Sequence, residues 1–327
     1  MLSEPPRRAS SHVPSTAETS ILCDVSSMAL LSHFPDFGLS AMKISLAVVN
    51  KGAVASTTGV GAAVPWWSFT KTVIAAGALV LVRDGQLALD EPLAKRPYSL
   101  RQLLQHRAGV ANYGDLAVYH EAVARGDNPW PASELLERTE ADRLRFEPGK
   151  SWSYSNIGYL IVRQLIEATC NESLGPALTR LVLRPLGIES ARIAEGPNDL
   201  VGVFMGEASS YHPGWVYHGL MVGQLDESAL LLARLMTGTL LPHDLLEQMR
   251  FAHDLGSPWS TPGYGLGLVT GTTALGTRVT GHTGKGPGSV IAVYHALEKA
   301  APVTAAAFST GDDQASVEHA AFAAIQI

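Results

Sequence analysis

The stretch Trp66–Leu87, WWSFTKTVIAAGALVLVRDGQL, carries two readings at once. From Thr72 to Val82 it is apolar nearly all round and it stops at Asp84-Gly85, which predicts a helix buried on most faces and ended by a glycine. A helix of that kind belongs at the centre of a fold. At its entrance Ser68 stands three residues ahead of Lys71, and on a helix residues i and i+3 share a face. An amine held there, partly desolvated and near the positive helix end, can lose its proton and take one from the serine, the activation that a weak nucleophile needs. The spacing alone says little, since SAMK repeats it at Ser40 and Lys43. That second pair runs straight into the β-like ISLAVV with no buried helix behind it, and is expected on a surface loop.

Outward from the central helix, KISLAVVNKGAVASTTGV (residues 43–60) holds two β-type runs around Asn50-Lys51-Gly52, the turn chemistry of a hairpin. A short helix is expected near Met28–Phe34. From YSLRQLLQHRAGV to HDLLEQMRF the periodicity is mainly helical, clearest in LIVRQLIEATC, ALTRLVL and ESALLLARLMTG. Beyond PGYGLGLVTG the pattern returns to β-type runs, TRVTGHTG, GSVIAVYHAL and VTAAAFSTG, before a last helical segment, SVEHAAFAAIQI. The two ends therefore read as one mixed α/β layer interrupted by a helical insert. The expected division is an atypical leader over 1–40, an α/β subdomain from 41–95 with 255–327, and a helical subdomain over 96–254.

The chain has 327 residues, 46% hydrophobic and 17% charged, enough for one large unit or two intimately joined subdomains. A net charge of -6 without a dense Lys/Arg run argues against a nucleic-acid partner. Cys23 and Cys170 lie far apart and in no metal-ligand spacing, so both are expected as buried free thiols. No metal or cofactor is expected, because the histidines show no HExxH-type spacing. The polar, Pro/Ser-rich start lacks the apolar stretch of a secretory signal, and no run reaches the ~20 apolar residues of a membrane span, so a soluble, cytoplasmic protein is expected.

Two further stretches join Ser68 and Lys71. WSYSNIGYL supplies Tyr154 and Asn156, and VTGHTGKGPGS supplies His282, Thr283 and Gly284. Together they resemble the Ser-x-x-Lys, Tyr-x-Asn and Lys/His-Thr-Gly motifs of the penicillin-recognising serine hydrolases, the superfamily of class C β-lactamases, DD-peptidases, D-aminopeptidases and β-lactamase-fold (family VIII) esterases. No other tyrosine passes the Tyr-x-Asn test, and no other Thr-Gly follows a Lys or His. The connecting segments VRDGQLALDEPL, YSLRQLLQHRAGV, FEPGKSWSYSN and RPLGI are similar as well, so the resemblance extends from about residue 44 onward.

The resemblance implies an α/β (α+β) fold of the β-lactamase/transpeptidase type, an antiparallel sheet flanked by helices with a helical subdomain and a cleft between them. It implies Ser68 as nucleophile, Lys71 as its proton partner and Tyr154 as the shuttle to the leaving group. Asn156 would bond a substrate amide or a lysine of the site. His282, on an edge strand, would tune Tyr154, and Thr283 would offer its hydroxyl to a substrate carboxylate. The backbone amides of Ser68 and Lys285 would meet the oxyanion, each worth on the order of 3 kcal/mol. Trp66 and Trp67 are expected as core and pocket-wall aromatics, and His106 as a structural residue.

Two departures bear on substrate. His282 replaces the lysine common in β-lactamases and binds a carboxylate less firmly. Lys285 stands where a small residue is expected, with its side chain either restoring that charge or obstructing the cleft. The resulting expectation is a cofactor-independent serine hydrolase acting through an acyl-serine on small esters or amides, with weak β-lactam hydrolysis. The alternatives are a D-aminopeptidase- or DD-peptidase-like amidase and a non-catalytic acyl-binding sensor.

Overall fold

Small and β-branched residues open the described chain as β1 (Ser45–Asn50) and β2 (Ala53–Thr58), paired antiparallel. Lys51 and Gly52 connect them with φ of 50° and 78°, the double positive φ that a two-residue hairpin demands. The computed structural model describes residues 44–206, 208, 210–252, 263–297 and 302–326. The expectations for the leader, the helix near Met28–Phe34, the Ser40/Lys43 pair and Cys23 lie outside the described residues.

After β3 (Val64–Pro65), a 3-10 turn at Trp67–Phe69 runs directly into α1 (Thr70–Arg83). Every residue of α1 from Thr70 to Leu81 is buried, as an all-round apolar helix must be, and Gly85 at φ 69° follows its end. The middle of the chain supplies α2 (Leu100–Leu104), α3 (Ala117–Arg125), α4 (Ala132–Arg138), α5 (Asn156–Cys170) and α6 (Leu174–Leu178), the last continued by a π turn at Thr179–Leu183. Helix α1 packs against α5, α6 and the π turn. Gly77 makes that approach possible, since a Cβ there would lie 2.8 Å from Leu178 Cδ2. Strands β4 (Arg192–Ala194) and β5 (Leu220–Gly223) form a small sheet with β3, in the order β3-β5-β4. Helices α7 (Leu225–Thr237) and α8 (His243–Arg250) follow.

The remaining strands, β6 (Gly263–Tyr264), β7 (Val269–Thr272), β8 (Arg278–Gly286), β9 (Ser289–Ala296) and β10 (Val303–Thr310), join the first two in a seven-stranded antiparallel sheet, β2-β1-β10-β9-β8-β7-β6. The chain's two ends meet where β1 pairs β10. Both faces of the sheet are covered, which is why β9 is buried at every position. Val290, Ala292, Tyr294, Ala305 and Ala307 share one core with Val317, Ala321 and Ile325 of α9 (Gln314–Gln326). The alternate residues Ile291, Val293, Ala306 and Phe308 face the main core. Each buried Val or Ile contributes roughly 1.5–3 kcal/mol to this arrangement.

Helix α7 departs from its expected grouping with the helical middle, because it packs on β10, β1 and β9 and closes the inner face of the sheet. Its amphipathic stripe is a generic apolar face, and only the fold selects its partner. Cys170 is a free thiol but half-buried at the end of α5, not buried as expected. No helix among the described residues is long and apolar enough to cross a membrane.

Candidate active site

The chain enters the site through two tryptophans. Trp66 donates its amide to Met221 O at 2.8 Å, and its carbonyl accepts from the Phe69 amide at 2.8 Å, closing the 3-10 turn that carries Ser68. Trp67 holds a φ of 40°, unusual for a bulky residue, and its indole donates to Ser289 Oγ at 3.0 Å. Both rings are buried, as core aromatics were expected to be.

The turn rests on β8. That strand is third from the sheet edge, not an edge strand as expected, yet β7 pairs it only up to Gly281, so residues 282–286 have one side open to the turn. Contact there is close enough to require glycine. A Cβ on Gly284 would lie 2.6 Å from Trp66 O and 2.7 Å from Ser68 N.

Ser68 is half-buried, and Lys71 lies fully buried one helical turn on. Lys71 Nζ stands 3.2 Å from Ser68 Oγ and 3.1 Å from His218 Nε2. The residues on either side of Lys71 are pinned. Thr70 Oγ1 accepts from the Met221 amide at 3.1 Å, and Thr72 donates its hydroxyl to Gly267 O at 2.7 Å. From the other side Tyr154 donates its hydroxyl to Ser68 Oγ at 2.9 Å. Serine, lysine and tyrosine are thus brought together from segments far apart in sequence.

Tyr154 precedes α5, and the cap of that helix holds it. Ser155 Oγ accepts from the Gly158 amide at 2.9 Å and donates to Ala111 O at 2.7 Å, while the Ser155 amide donates to His106 Nδ1 at 3.1 Å. The His106 ring lies 4.3 Å from that of Tyr154 and 4.7 Å from that of Tyr264, so this histidine packs as expected. Asn156 is the first residue of α5. Its backbone amide and Nδ2 both donate to Asn112 Oδ1, at 3.1 and 3.0 Å.

His282 faces the same core through β8. Its Nδ1–H donates to Thr283 O at 2.7 Å, which leaves Nε2 to accept from the Tyr264 hydroxyl at 2.9 Å. Burial first, and the Lys71 charge second, push its pKa down to about 3, so the ring is neutral. Burial and then Lys71 likewise push His106 and His218 well below the usual histidine range.

Thr283 corrects an expectation. The strand period turns its side chain to the α9 face, where it donates to Glu318 Oε1 at 2.6 Å and meets the Tyr294 hydroxyl at 2.9 Å. It offers nothing to a carboxylate in the cleft. Lys285 shares that face. It pairs with Val290 of the α9 core, and it lies near enough to Asp313, just ahead of α9, for its charge to add to the Ser316 hydrogen bonds that chiefly lower that carboxyl's pKa. The Lys285 side chain therefore neither restores the missing cation beside Ser68 nor blocks the way to it.

A family model described as Beta-lactamase matches residues 41–327. The chain belongs to the beta-lactamase family. Among relatives of this family it is similar to the esterase EstB of Burkholderia gladioli, 29% identical over 141 residues, which cover 37% of this chain and 36% of that protein. It is also similar to a D-aminopeptidase of Brucella anthropi, 28% identical over 216 residues, which cover 62% of this chain and 40% of that one. The chain thus spans about two fifths of the length of these curated relatives. In fold it matches the D-amino acid amidase from Ochrobactrum anthropi SV3 with a TM-score of 0.72 at 21% identity, covering 86% of this chain and 93% of that one. A D-stereospecific amidohydrolase from Streptomyces sp. matches with a TM-score of 0.68 at 22% identity, over 86% of this chain and 94% of that one. The β-lactamase/transpeptidase-like fold implied by the three motifs is the fold observed.

Within this member of the beta-lactamase family, three partners of the site's side chains, Asn112, His218 and Tyr264, are not legible in the sequence, and neither is Glu318, which holds Thr283 on the α9 side of the sheet. None belongs to a short motif whose spacing signals chemistry. Each is a long-range partner, with His218 separated from Lys71 by 147 positions. Only Tyr264, in GYGLG between β-type runs, stands in a stretch that attracts notice as a turn.

Proposed function

We propose that this protein hydrolyses small esters or amides lacking a free carboxylate next to the scissile bond, through an acyl-serine at Ser68. The supporting observation is that Ser68 Oγ is met at once by Lys71 Nζ at 3.2 Å and Tyr154 OH at 2.9 Å. Deprotonated Lys71 accepts the hydroxyl proton as Oγ attacks the carbonyl carbon. The backbone amides of Ser68 and Lys285 are proposed to meet the oxyanion. Tyr154 gives its proton to the leaving group as the tetrahedral intermediate collapses, and Lys71 returns one to Tyr154. Water then enters, gives a proton to the same pair and attacks the acyl carbon; the acyl–Oγ bond breaks, the proton passes to Ser68 Oγ, and the acid leaves.

The restriction on substrate comes from the third motif. His282 is neutral with both ring nitrogens bonded, Thr283 is turned to α9 and Lys285 points to the same side. A penicillin-type carboxylate loses the anchor that a cleft-facing lysine and threonine would supply, so β-lactam turnover is proposed to be weak. A second reading, hydrolysis of D-amino-acid amides, is favoured by the histidine at position 282 and by the relatives named D-aminopeptidase. The Asn156 amide, oriented by Asn112, is proposed to bond the substrate's amide.

Initial rates on p-nitrophenyl acetate, D-alanine p-nitroanilide and a chromogenic cephalosporin, with Ser68→Ala as blank, separate these readings. Fast ester turnover lost in Ser68→Ala supports the esterase reading, and preference for the D-anilide supports the amidase. A persistent acyl mass on wild type without turnover of any substrate would replace both by an acyl-binding sensor.

A further inference from the structure

Lys71 does not act on Ser68 in isolation, for a second side chain fixes its amine. His218 lies just ahead of β5, fully buried, with Nε2 at 3.1 Å from Lys71 Nζ. Its Nδ1 has no hydrogen-bond partner among the described residues, so within them the ring's one polar commitment is the lysine. A buried position that served packing alone would be filled more favourably by an apolar side chain, because an imidazole keeps a polar nitrogen out of water.

We propose that His218 is a positioning residue for the reaction: its Nε2 accepts a hydrogen bond from Lys71 Nζ and turns the amine's single lone pair toward the Ser68 hydroxyl. This rests on the reading of Ser68 as nucleophile and Lys71 as base. A deprotonated amine has two N–H bonds and one lone pair. If the lone pair is to accept the Ser68 proton, it cannot also accept from His218, so Nε2 must be the acceptor and the imidazole proton must sit on Nδ1. After the transfer the lysine is an ammonium, all of whose polar hydrogens donate, and Nε2 accepts in that state too. One tautomer therefore serves both states, and no rearrangement of the histidine accompanies the step. Atoms balance within the pair: the Ser68 O–H bond breaks, a Lys71 N–H bond forms, and His218 keeps its proton.

The surroundings match that assignment. Lys71 is faced by Ser68 from the 3-10 turn, by the Tyr154 ring at 5.0 Å and by the Tyr159 ring of α5 at 5.7 Å. His106, His218 and His282 feel its charge, and His218 also feels Arg163 of α5. Arg163 itself donates to Tyr217 O at 3.2 Å, beside His218, and to Glu167. A lysine and an arginine on two sides favour a neutral imidazole, which orients an amine without holding it as an ammonium as a carboxylate would.

The test is the pH profile of p-nitrophenyl acetate hydrolysis for wild type, His218→Leu, His218→Gln and Ser68→Ala. In His218→Leu we expect kcat to fall about 10- to 100-fold with KM nearly unchanged, and the acid limb to move to lower pH, since the ammonium loses an acceptor. His218→Gln, whose amide oxygen accepts, recovers most of both. A structural role alone would lower the melting temperature and leave the limb where it was. Wild-type rates and limb in His218→Leu, or equal losses in Leu and Gln with the limb unmoved, overturn the proposal. If His218→Leu fails to fold, long-range 1H–15N spectra of histidine-labelled wild type decide, with the His218 signal identified by its loss in His218→Gln. An Nδ1–H tautomer is expected, and an Nε2–H tautomer overturns the proposal. Undiminished turnover in Ser68→Ala would sink the nucleophile assignment instead, and the tautomer measurement still judges His218.

Discussion

Gly284 of β8 lies so close to Ser68 that a Cβ on it would stand 2.7 Å from the Ser68 amide nitrogen. The motif glycine is thus a seat for the backbone of Ser68. Gly284→Ala must push the Trp66–Ser68 turn off the strand, and with it both Oγ and the amide proposed for the oxyanion. We expect kcat/KM for p-nitrophenyl acetate to fall at least about 100-fold. Steady-state kinetics beside a thermal melt would check this. Near-wild-type kinetics would show that the turn can move without cost to the reaction.

Tyr154→Phe removes one oxygen and keeps the ring against His106 at 4.3 Å. Ester turnover is expected to drop by about 10²–10⁴-fold, the usual range for a proton-transfer group. The change should spare the fold. A loss of less than about tenfold on the ester would assign leaving-group protonation to another residue.

Thr283→Val tests the correction at the third motif. Because the hydroxyl donates to Glu318 at 2.6 Å and meets Tyr294, its loss should cost stability, about 1–3 kcal/mol for a buried carboxylate deprived of a partner. The ratio of kcat/KM between a carboxylate-bearing cephalosporin and an uncharged ester should stay unchanged. Urea unfolding and the two substrates measure these separately, and a selective loss on the charged substrate would return Thr283 to the cleft.

Four histidines buried among the described residues give the fold an acid liability. His282 is held down to about 3 and His295 to about 4, burial being the first cause in each, and His106 and His218 are lowered as well. The unfolded chain binds protons at these rings below about pH 6.5 while the native state does not, so the unfolded state gains more protons as pH falls. Stability is therefore fully present above pH 6.5 and is lost progressively toward the folded pKa values. Urea midpoints should fall between pH 7 and pH 5, with a smaller fall in His295→Gln. A flat profile over that window would mean that the rings are protonated or exposed in the native state.

Local chemistry was legible where it acts over a few residues. The Lys51-Gly52 turn, the all-apolar run of α1 and the glycine after it follow from φ preferences and side-chain hydrophobicity alone. The three motifs were legible for a related reason, since each packs its chemistry into three or four neighbouring positions. Helix α7 is legible as a helix but its layer is not, because an amphipathic stripe states that a face will be buried and not what will bury it. The direction of Thr283 is not legible, because the strand period sets only that neighbours point to opposite faces.

By itself, then, the sequence determined that a serine and a lysine stand one turn apart at the head of a buried helix, with a Tyr-x-Asn and a His-Thr-Gly to follow. Only the tertiary structure decided that Tyr154 closes on Ser68 at 2.9 Å, that His218 holds Lys71 at 3.1 Å, and that Thr283 and Lys285 turn their backs on the cleft. Spacing along a chain constrains geometry over one helical turn or one strand repeat. Contacts across 86 or 147 positions are set by how whole elements pack, and no local periodicity encodes them.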